Sequence, residues 1–447
     1  MTLSTVPRYD GARVAEVGDH AVVVGAGMAG LFAARVLADA FAEVTVVDRD
    51  RLPDEPVARR GVPQSRHPHA LLEAGRATIA DLFPGCIEDV VAAGGVVTDF
   101  ARGVDFYTEG DVLAEGPEPM ETISASRPLF EHVVRRHVSA LGGVTLRESC
   151  QCTEYRLDDA GRSVEGVVAR DDDGREELAA DLVVDASGRT SRTPAWLASH
   201  GYTAPPVDEV EIRMAYSTTF VRRPADDRRT YLVPPSPPRA RGGMAAPVEG
   251  NRWIVNIQGV HGETPPTDRE GFAAYAASLP VPELKRILDE HEWDAGIEHY
   301  PFPTNRRCRY EELDRFPGGL LVVGDAIASF NPVYAQGMSV AALEALVLHH
   351  ALAEGGDDLA RRFFDRASAV VDVAWALAVG SDFGFTETRG EKPRGMAVFN
   401  WYLGRLVRRA HADGELTDAF VRVLSMERPP TSLLHPRVAW RVLGPTG

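Results

Sequence analysis

Ala21-Val22-Val23-Val24-Gly25-Ala26-Gly27-Met28-Ala29-Gly30 is the stretch that decides how this chain folds. An unbroken apolar run ending at a glycine predicts a strand buried on both faces, as in a parallel sheet. The glycines fit G-x-G-x-x-G, and the residues from about Met28 to Ala38 continue as a helix. A second strand is expected from Glu43 to Val47, ending in Asp48. The result is a β-α-β unit with its glycine turn between strand and helix, the context in which the motif has a mechanism. The first glycine permits the tight turn, the second lets a pyrophosphate approach the backbone, and the third lets helix and strand pack closely. The helix tip offers free N–H groups and a positive dipole end to phosphate. A carboxylate at Asp48 can bind ribose hydroxyls. Gly25, Ala26, Gly27, Met28, Ala29, Gly30 and Asp48 are therefore expected to form a dinucleotide site, which the motif alone does not assign to FAD or NAD(P).

Outward from this unit, residues 1–18 read as a loose leader and 51–69 as a loop rich in Pro, Arg and His. Helices are expected over Leu71–Phe83 and Pro128–Leu141. Strands are expected over Leu146–Leu157 and Ser163–Arg170, joined by a turn at 158–161. Leu182–Val184 is a further buried strand that runs into Asp185-Ala186-Ser187-Gly188. Residues 205–260 change character, and Ile212–Val221 and Trp253–Val260 suggest a mainly antiparallel sheet outside the first domain. Leu320–Val323 returns to the buried parallel type. Beyond Gly337 the chain becomes helical, with breaks near Gly355, Gly390 and Pro429.

The whole chain has 447 residues, too many for one ordinary core. Its formal net charge of −17 repels phosphate backbones, so nucleic acid is not an expected partner. The N-terminus has no secretory pattern, and no apolar run approaches the roughly 18 residues that span a bilayer. Cys86, Cys150, Cys152 and Cys308 read as reduced thiols, and the C-x-C at 150–152 is too tight for a usual zinc pair. A cytoplasmic protein without a metal site is expected. His67 and His69 lack a third ligand at metal spacing; a loop beside a cofactor and a buried, hydrogen-bonded imidazole both remain open for them.

Two later segments narrow the reading. One runs Asp181-Leu-Val-Val-Asp185-Ala-Ser-Gly188-Arg-Thr-Ser191. The other runs Gly319-Leu-Leu-Val-Val-Gly324-Asp325-Ala326, through Asn331-Pro332, to Gln336-Gly337-Met338. With the glycine loop, these resemble the fingerprints of the para-hydroxybenzoate-hydroxylase-like FAD-dependent monooxygenases. Within that superfamily the chain looks most like actinobacterial monooxygenases that include polyether-pathway epoxidases. Arg60-Gly-Val-Pro-Gln64, His67-Pro-His69, Ser126-Arg127-Pro-Leu and Tyr300-Pro-Phe-Pro-Thr-Asn305-Arg carry the same likeness, as does Arg428-Pro-Pro-Thr-Ser-Leu-Leu, so it extends over nearly the whole chain.

The resemblance implies an α/β fold: a Rossmann-like FAD-binding domain, a mainly antiparallel β-sheet substrate domain and a helical C-terminal region. The FAD-binding domain would comprise 18–98, 121–200 and 306–350. The substrate domain would comprise 99–120 and 201–305, and the helical region 351–447. By the same likeness Gly324-Asp325 would hold the ribityl chain. The helix opened by Gln336, Gly337 and Met338 would face the flavin pyrimidine ring, where a helix N-terminus stabilises the negative charge of reduced flavin. Arg127 would bind FAD, and Cys152 joins the cofactor-side residues. Asp185 and Gly188 belong to a motif that touches the diphosphate and, in some members, NAD(P)H; alanine follows Asp185 where aromatic hydroxylases more often carry glycine, which weakens the nicotinamide role. Arg49 either packs near adenine or faces solvent.

The expected chemistry is the cofactor's. Reduced flavin and O2 give a C4a-hydroperoxide, which the protein keeps dry and aims at an apolar small molecule. No catalytic side chain is then required. Tyr216, Trp253, Phe330, Pro332 and Tyr334 are the expected pocket walls, each with ordinary packing as the alternative. Alkene epoxidation in secondary metabolism is the preferred reaction. An aromatic hydroxylase, a prenyl double-bond reductase and a non-catalytic FAD-binding module are the alternatives. A halogenase is set aside, because the W-x-W-x-I-P motif is missing and Lys285 and Lys392 are the only lysines. Electrons would come from NAD(P)H or from a separate flavin reductase. A monomer or homodimer is expected, its C-terminal helices covering the active site, pairing subunits or touching a membrane surface.

Overall fold

The computed structural model describes residues 1–393 and 395–445. Gly18–Val24 forms the centre of a five-stranded parallel sheet, in the order Leu320–Val322, Leu182–Asp185, Gly18–Val24, Phe41–Val47, Val144–Arg147. Val22 lies level with Val183 on one side and Thr45 on the other. Both faces are covered, which is why the strand is uniformly apolar. Ala21 and Val23 pack into a large core with the helices Met28–Leu37, Arg127–Ser139 and Gly337–Leu352. Val22 and Val183 point the other way, into a second core with the antiparallel strands Gln151–Leu157, Val164–Asp171 and Gly174–Ala179.

The expected single strand Leu146–Leu157 is two. Val144–Arg147 closes the edge of the parallel sheet and Gln151–Leu157 starts the other layer. The chain turns between them at Ser149, whose φ of +51° is incompatible with a continuous strand. The leader is not loose either: Leu3 and Ser4 donate backbone N–H bonds to Met426 and Glu427 (3.0 Å each).

The second large sheet has nine strands and is mainly antiparallel, with Val207–Arg222 at its heart between Arg252–Gly259 and Glu298–Cys308. Val104–Thr108 joins it by a parallel pairing with Thr230–Val233. Glu298–Cys308 runs past the expected boundary at 305, and Ala328–Ser329 adds to its edge. Helices Arg269–Ala277 and Pro282–Glu290 cover the outer face around Trp253, Val255 and Ile257.

Helix Gly337–Leu352 is predominantly apolar and buried on nearly every residue, as a helix enclosed in a core must be. After it come Leu359–Asp382, Met396–Ala410, Gly414–Leu424 and Pro436–Leu443. The breaks fall near the three expected positions, with a further one at Asp413, which caps Gly414–Leu424. Residues 394, 446 and 447 of the expected helical region lie outside the described residues. No helix among the described residues is long and apolar enough to cross a membrane.

Candidate active site

The three loop glycines have different neighbours. Gly25 has φ +109°, and a Cβ there would lie 2.6 Å from the Ala186 carbonyl oxygen; at Gly30 it would lie 1.8 Å from the Gly25 carbonyl oxygen. These two are required by the fold itself. At Gly27 a Cβ would meet nothing within 4 Å. The middle glycine therefore leaves room for something other than protein at the helix tip, where Met28 and Ala29 start the helix.

Asp48 ends the second strand and is buried. The Ala26 N–H donates to its Oδ2 (2.7 Å) and the Asp50 N–H to its Oδ1 (2.8 Å). Arg59 donates to Asp48 (3.1 Å), to Asp50 (3.0 Å) and, through Nε, to Glu131 (2.6 Å). Burial works against the Arg59 charge, but Glu131, Asp48 and Asp50 outweigh it and hold the guanidinium above the ordinary arginine range. Glu131 in turn accepts from Arg127 (3.1 Å). Asp48, Arg59, Glu131 and Arg127 thus form one buried chain along the cradle, and the sequence reading missed its two middle members.

Ser126 caps the helix Arg127–Ser139 by accepting from the Leu129 N–H (3.3 Å). This places Arg127 in the first turn. Its Nε is buried without a hydrogen-bond partner. Burial lowers the Arg127 guanidinium below its ordinary range, with Glu131 and Asp325 opposing. Asp325 keeps access to solvent, although surrounding protein crowds its carboxylate. Burial raises it, against the pull of Arg127 and Arg189. Glu344 accepts the Gly324 N–H at 2.6 Å, and burial pushes its carboxyl up to about 8.

The tip of helix Gly337–Leu352 opens towards solvent at Gly337, where a Cβ would meet nothing within 4 Å. Met338 is buried. Gln336 turns inward and donates to the Leu424 carbonyl (3.0 Å), so its side chain anchors the tip from behind. The loop before it is tied by a closed set of buried bonds. Asn305 and Asn331 donate to Asp382 (2.8 and 2.9 Å), and the Asn331 N–H donates to Asn305 Oδ1 (2.6 Å). Burial raises Asp382 to about 7.

Other expected cofactor residues fall differently. The Asp185 carboxylate is fully buried and accepts from the Ser187 N–H (2.9 Å) and the Ser191 and Thr193 hydroxyls (2.5 Å each). Its oxygens build the turn instead of facing the cradle. What that turn presents is Ala186, against Gly25 and Gly30, and Gly188 with φ +80°. Cys152 is partly buried in the layer behind the parallel sheet, its thiol pushed up to about 12 chiefly by burial and then by Asp185. Arg49 is exposed.

Between the loop 332–335 that precedes the Gly337 helix and the antiparallel sheet lies a cavity of about 130 Å3. Tyr216, Pro332 and Tyr334 line it. Trp253 does not. It sits on the opposite face of its strand, in the core under the outer helices, because side chains alternate along a strand and Asn256 and Gln258 take the cavity side. Phe330 is not a wall either; it is buried in the main core. His67 and His69 both reach the cavity. His67 Nδ1 meets Thr218 Oγ1 at 2.7 Å, and its ring meets Tyr216 edge-on at 4.5 Å. Burial lowers the two imidazoles to about 3 and about 4. No cluster of three or more His, Cys, Asp or Glu suited to a metal is found among the described residues. A larger cleft of about 790 Å3 lies at the amino ends of the parallel strands, beside Val17, Asp181 and Gly319, the wrong end of an α/β sheet for a ligand.

Residues 19–362 match the family described as FAD binding domain. The chain belongs to that family. Protein Rv3254 of Mycobacterium tuberculosis is 33% identical over 436 residues, covering 93% of this chain and 91% of its own. Solved structures share the fold. The flavin-dependent brominase Bmp2 superposes with a TM-score of 0.65 at 17% identity, covering 92% of this chain and 94% of Bmp2. The p-nitrophenol 4-monooxygenase PnpA from Pseudomonas putida DLL-E4 gives 0.63 at 18%, covering 93% and 100%. A flavoprotein/dehydrogenase from Cytophaga hutchinsonii gives 0.65 at 15%, covering 95% and 96%. The protein is thus an FAD-binding flavoprotein with the fold of FAD-dependent monooxygenases.

Proposed function

We propose that this flavoprotein is a monooxygenase that places one oxygen atom of O2 on a neutral, largely apolar small molecule, with alkene epoxidation in secondary metabolism as its reaction. The observation that carries the reading is the cavity between the loop 332–335, which leads into the Gly337 helix, and the sheet. No Asp, Glu, Lys or Arg lines it among the described residues. Such a site suits a neutral substrate and keeps water out.

The residues present fit FAD. The space beside Gly27 and the helix tip suit the pyrophosphate, and the orphaned Arg127 Nε and the accessible Asp325 suit the polar chain that joins it to the ring. Bound and reduced, FAD supplies the activation of O2. The chain's own work is to grip the cofactor, to set a positive helix tip at Gly337 against the reduced ring, and to hold the substrate in a dry space.

Epoxidation is favoured over aromatic hydroxylation because a phenol needs a base. His67 and His69 are the titratable nitrogens on the cavity wall, and burial holds both uncharged and weakly basic. The brominase likeness does not extend to a lysine at the cavity: Lys285 pairs with Asp289, and Lys392 lies over Phe383. The motifs shared in resemblance with polyether-pathway epoxidases support the same choice. The reading places the enzyme in the cytoplasm, as a monomer or homodimer, with electrons from NAD(P)H or a separate flavin reductase.

The test supplies the holoenzyme with NADPH or a flavin reductase, an apolar alkene and labelled O2. Incorporation of one labelled oxygen atom into product is expected. A saturated product formed without O2 would instead make the protein a double-bond reductase.

A further inference from the structure

We infer that Gln258 and Asn256 form a recognition site for a carbonyl or hydroxyl group, so that the substrate is an apolar skeleton bearing one neutral hydrogen-bonding function. This rests on the cavity reading above and names the class of molecule that fits it.

Both residues lie on the strand Arg252–Gly259, two apart, and so point to the same face. Their cross-strand partners Tyr216 and Thr218 are on that face too. Gln258 and Asn256 are 5% and 3% exposed, and both line the cavity. Asn256 spends its amide nitrogen on the Ser217 carbonyl (3.3 Å) and the Thr218 hydroxyl (2.8 Å), which leaves its oxygen as an acceptor. The Gln258 side chain has no hydrogen-bond partner among the described residues, although the amide can donate two bonds and accept two. The side chain lines the cavity, so the partner it lacks in the protein can be supplied by what the cavity holds. The opposite face of the same strand is filled by Trp253, Val255 and Ile257, where apolar packing alone is required.

The remaining walls are apolar or neutral, including Phe106, Leu232, Met244 and Leu424. An anion would find no cation there, and a cation no carboxylate. A carbonyl oxygen can accept from the Gln258 amide nitrogen. A hydroxyl can do so and also donate to the Asn256 or Gln258 oxygen. The rest of the ligand is then matched mainly by hydrocarbon.

The experiment titrates FAD-loaded protein with limonene, carvone and perillate, one hydrocarbon skeleton bearing no polar group, a ketone and a carboxylate. Binding is read from the change in flavin absorbance. Carvone is expected to bind about fivefold or more tighter than limonene despite its lower hydrophobicity, a ratio typical of one net hydrogen bond, and perillate weakest. Gln258→Leu should abolish the preference by weakening carvone and not limonene; Gln258→Met serves the same purpose if the first variant folds poorly. Equal binding of limonene and carvone by the wild type, an unchanged preference in the variant, or perillate binding tightest overturns the inference and leaves the apolar cavity standing. Failure of all three to perturb the flavin overturns the cavity reading and the inference together.

Discussion

Gly324 lies directly against Ala29: a Cβ built on it would come within 2.6 Å of the Ala29 methyl. The late Gly-Asp motif and the phosphate helix are therefore in contact, and the residue between them must be glycine on two counts, since Gly324 also has φ +66°. Gly324→Ala should lower stability by about 1–3 kcal/mol and weaken FAD binding, seen as a lower melting temperature and a paler protein. Gly27→Ala should leave the melting temperature of the apoprotein nearly unchanged and still weaken FAD, because only ligand space is filled. Equal loss of stability in both would contradict this division of roles.

Arg127→Ala removes a buried guanidinium whose Nε has no protein partner. The FAD dissociation constant should rise about tenfold or more, the scale of a hydrogen bond to a charged group, with tenfold equal to about 1.4 kcal/mol. Arg49→Ala, at an exposed position, should leave it within about twofold. Fluorescence titration of apoprotein with FAD checks both.

Trp253→Ala should destabilise the protein by about 3–5 kcal/mol, as for other large-to-small core changes. Trp253→Phe should fold and bind cavity ligands unchanged. Altered ligand affinity in Trp253→Phe would return that residue to the pocket wall.

Two buried groups give opposite pH dependences. The His67 imidazole falls from its ordinary 6.5 to about 3 in the fold. The unfolded chain therefore takes up the proton first, and stability present above about 6.5 is lost as pH falls towards 3. Glu344 rises from 4.5 to about 8. Here the folded state holds the proton more tightly, so its contribution is full below about 4.5 and is lost as pH rises through 8. His67→Gln should flatten the acid limb of the stability–pH curve and Glu344→Gln, which can still accept the Gly324 N–H, the neutral-to-alkaline limb. Denaturant unfolding across the pH range, each variant against wild type, shows whether the slopes change as stated.

The phosphate loop was readable in the sequence because its glycines answer local backbone demands. Arg59 and Glu131 were not, because their partnership with Asp48 and Arg127 is made across a loop by tertiary contact. Asp382 was equally hidden: it meets Asn305 across 77 positions of sequence. Trp253 is expected on the wrong face because its strand is buried on both sides, which weakens the polar alternation. A signal existed nonetheless. Asn256 and Gln258 alternate with Val255 and Ile257, and the two amides on one face of a buried strand mark the side that faces the cavity. Leu146–Leu157 shows the reverse limit, where a single left-handed residue at Ser149 redirects a chain whose side-chain pattern runs on.

The flavin stoichiometry of Asp325→Ala tests the central claim most directly. Apoprotein is reconstituted with FAD, freed of excess cofactor and assayed for bound flavin per chain. Wild type should retain one FAD and a yellow colour, and Asp325→Ala less than about a tenth of it, as expected when a charged group's hydrogen bond to a ligand is lost. Full occupancy in the variant, or a wild-type chain that stays colourless with FAD, would contradict the account.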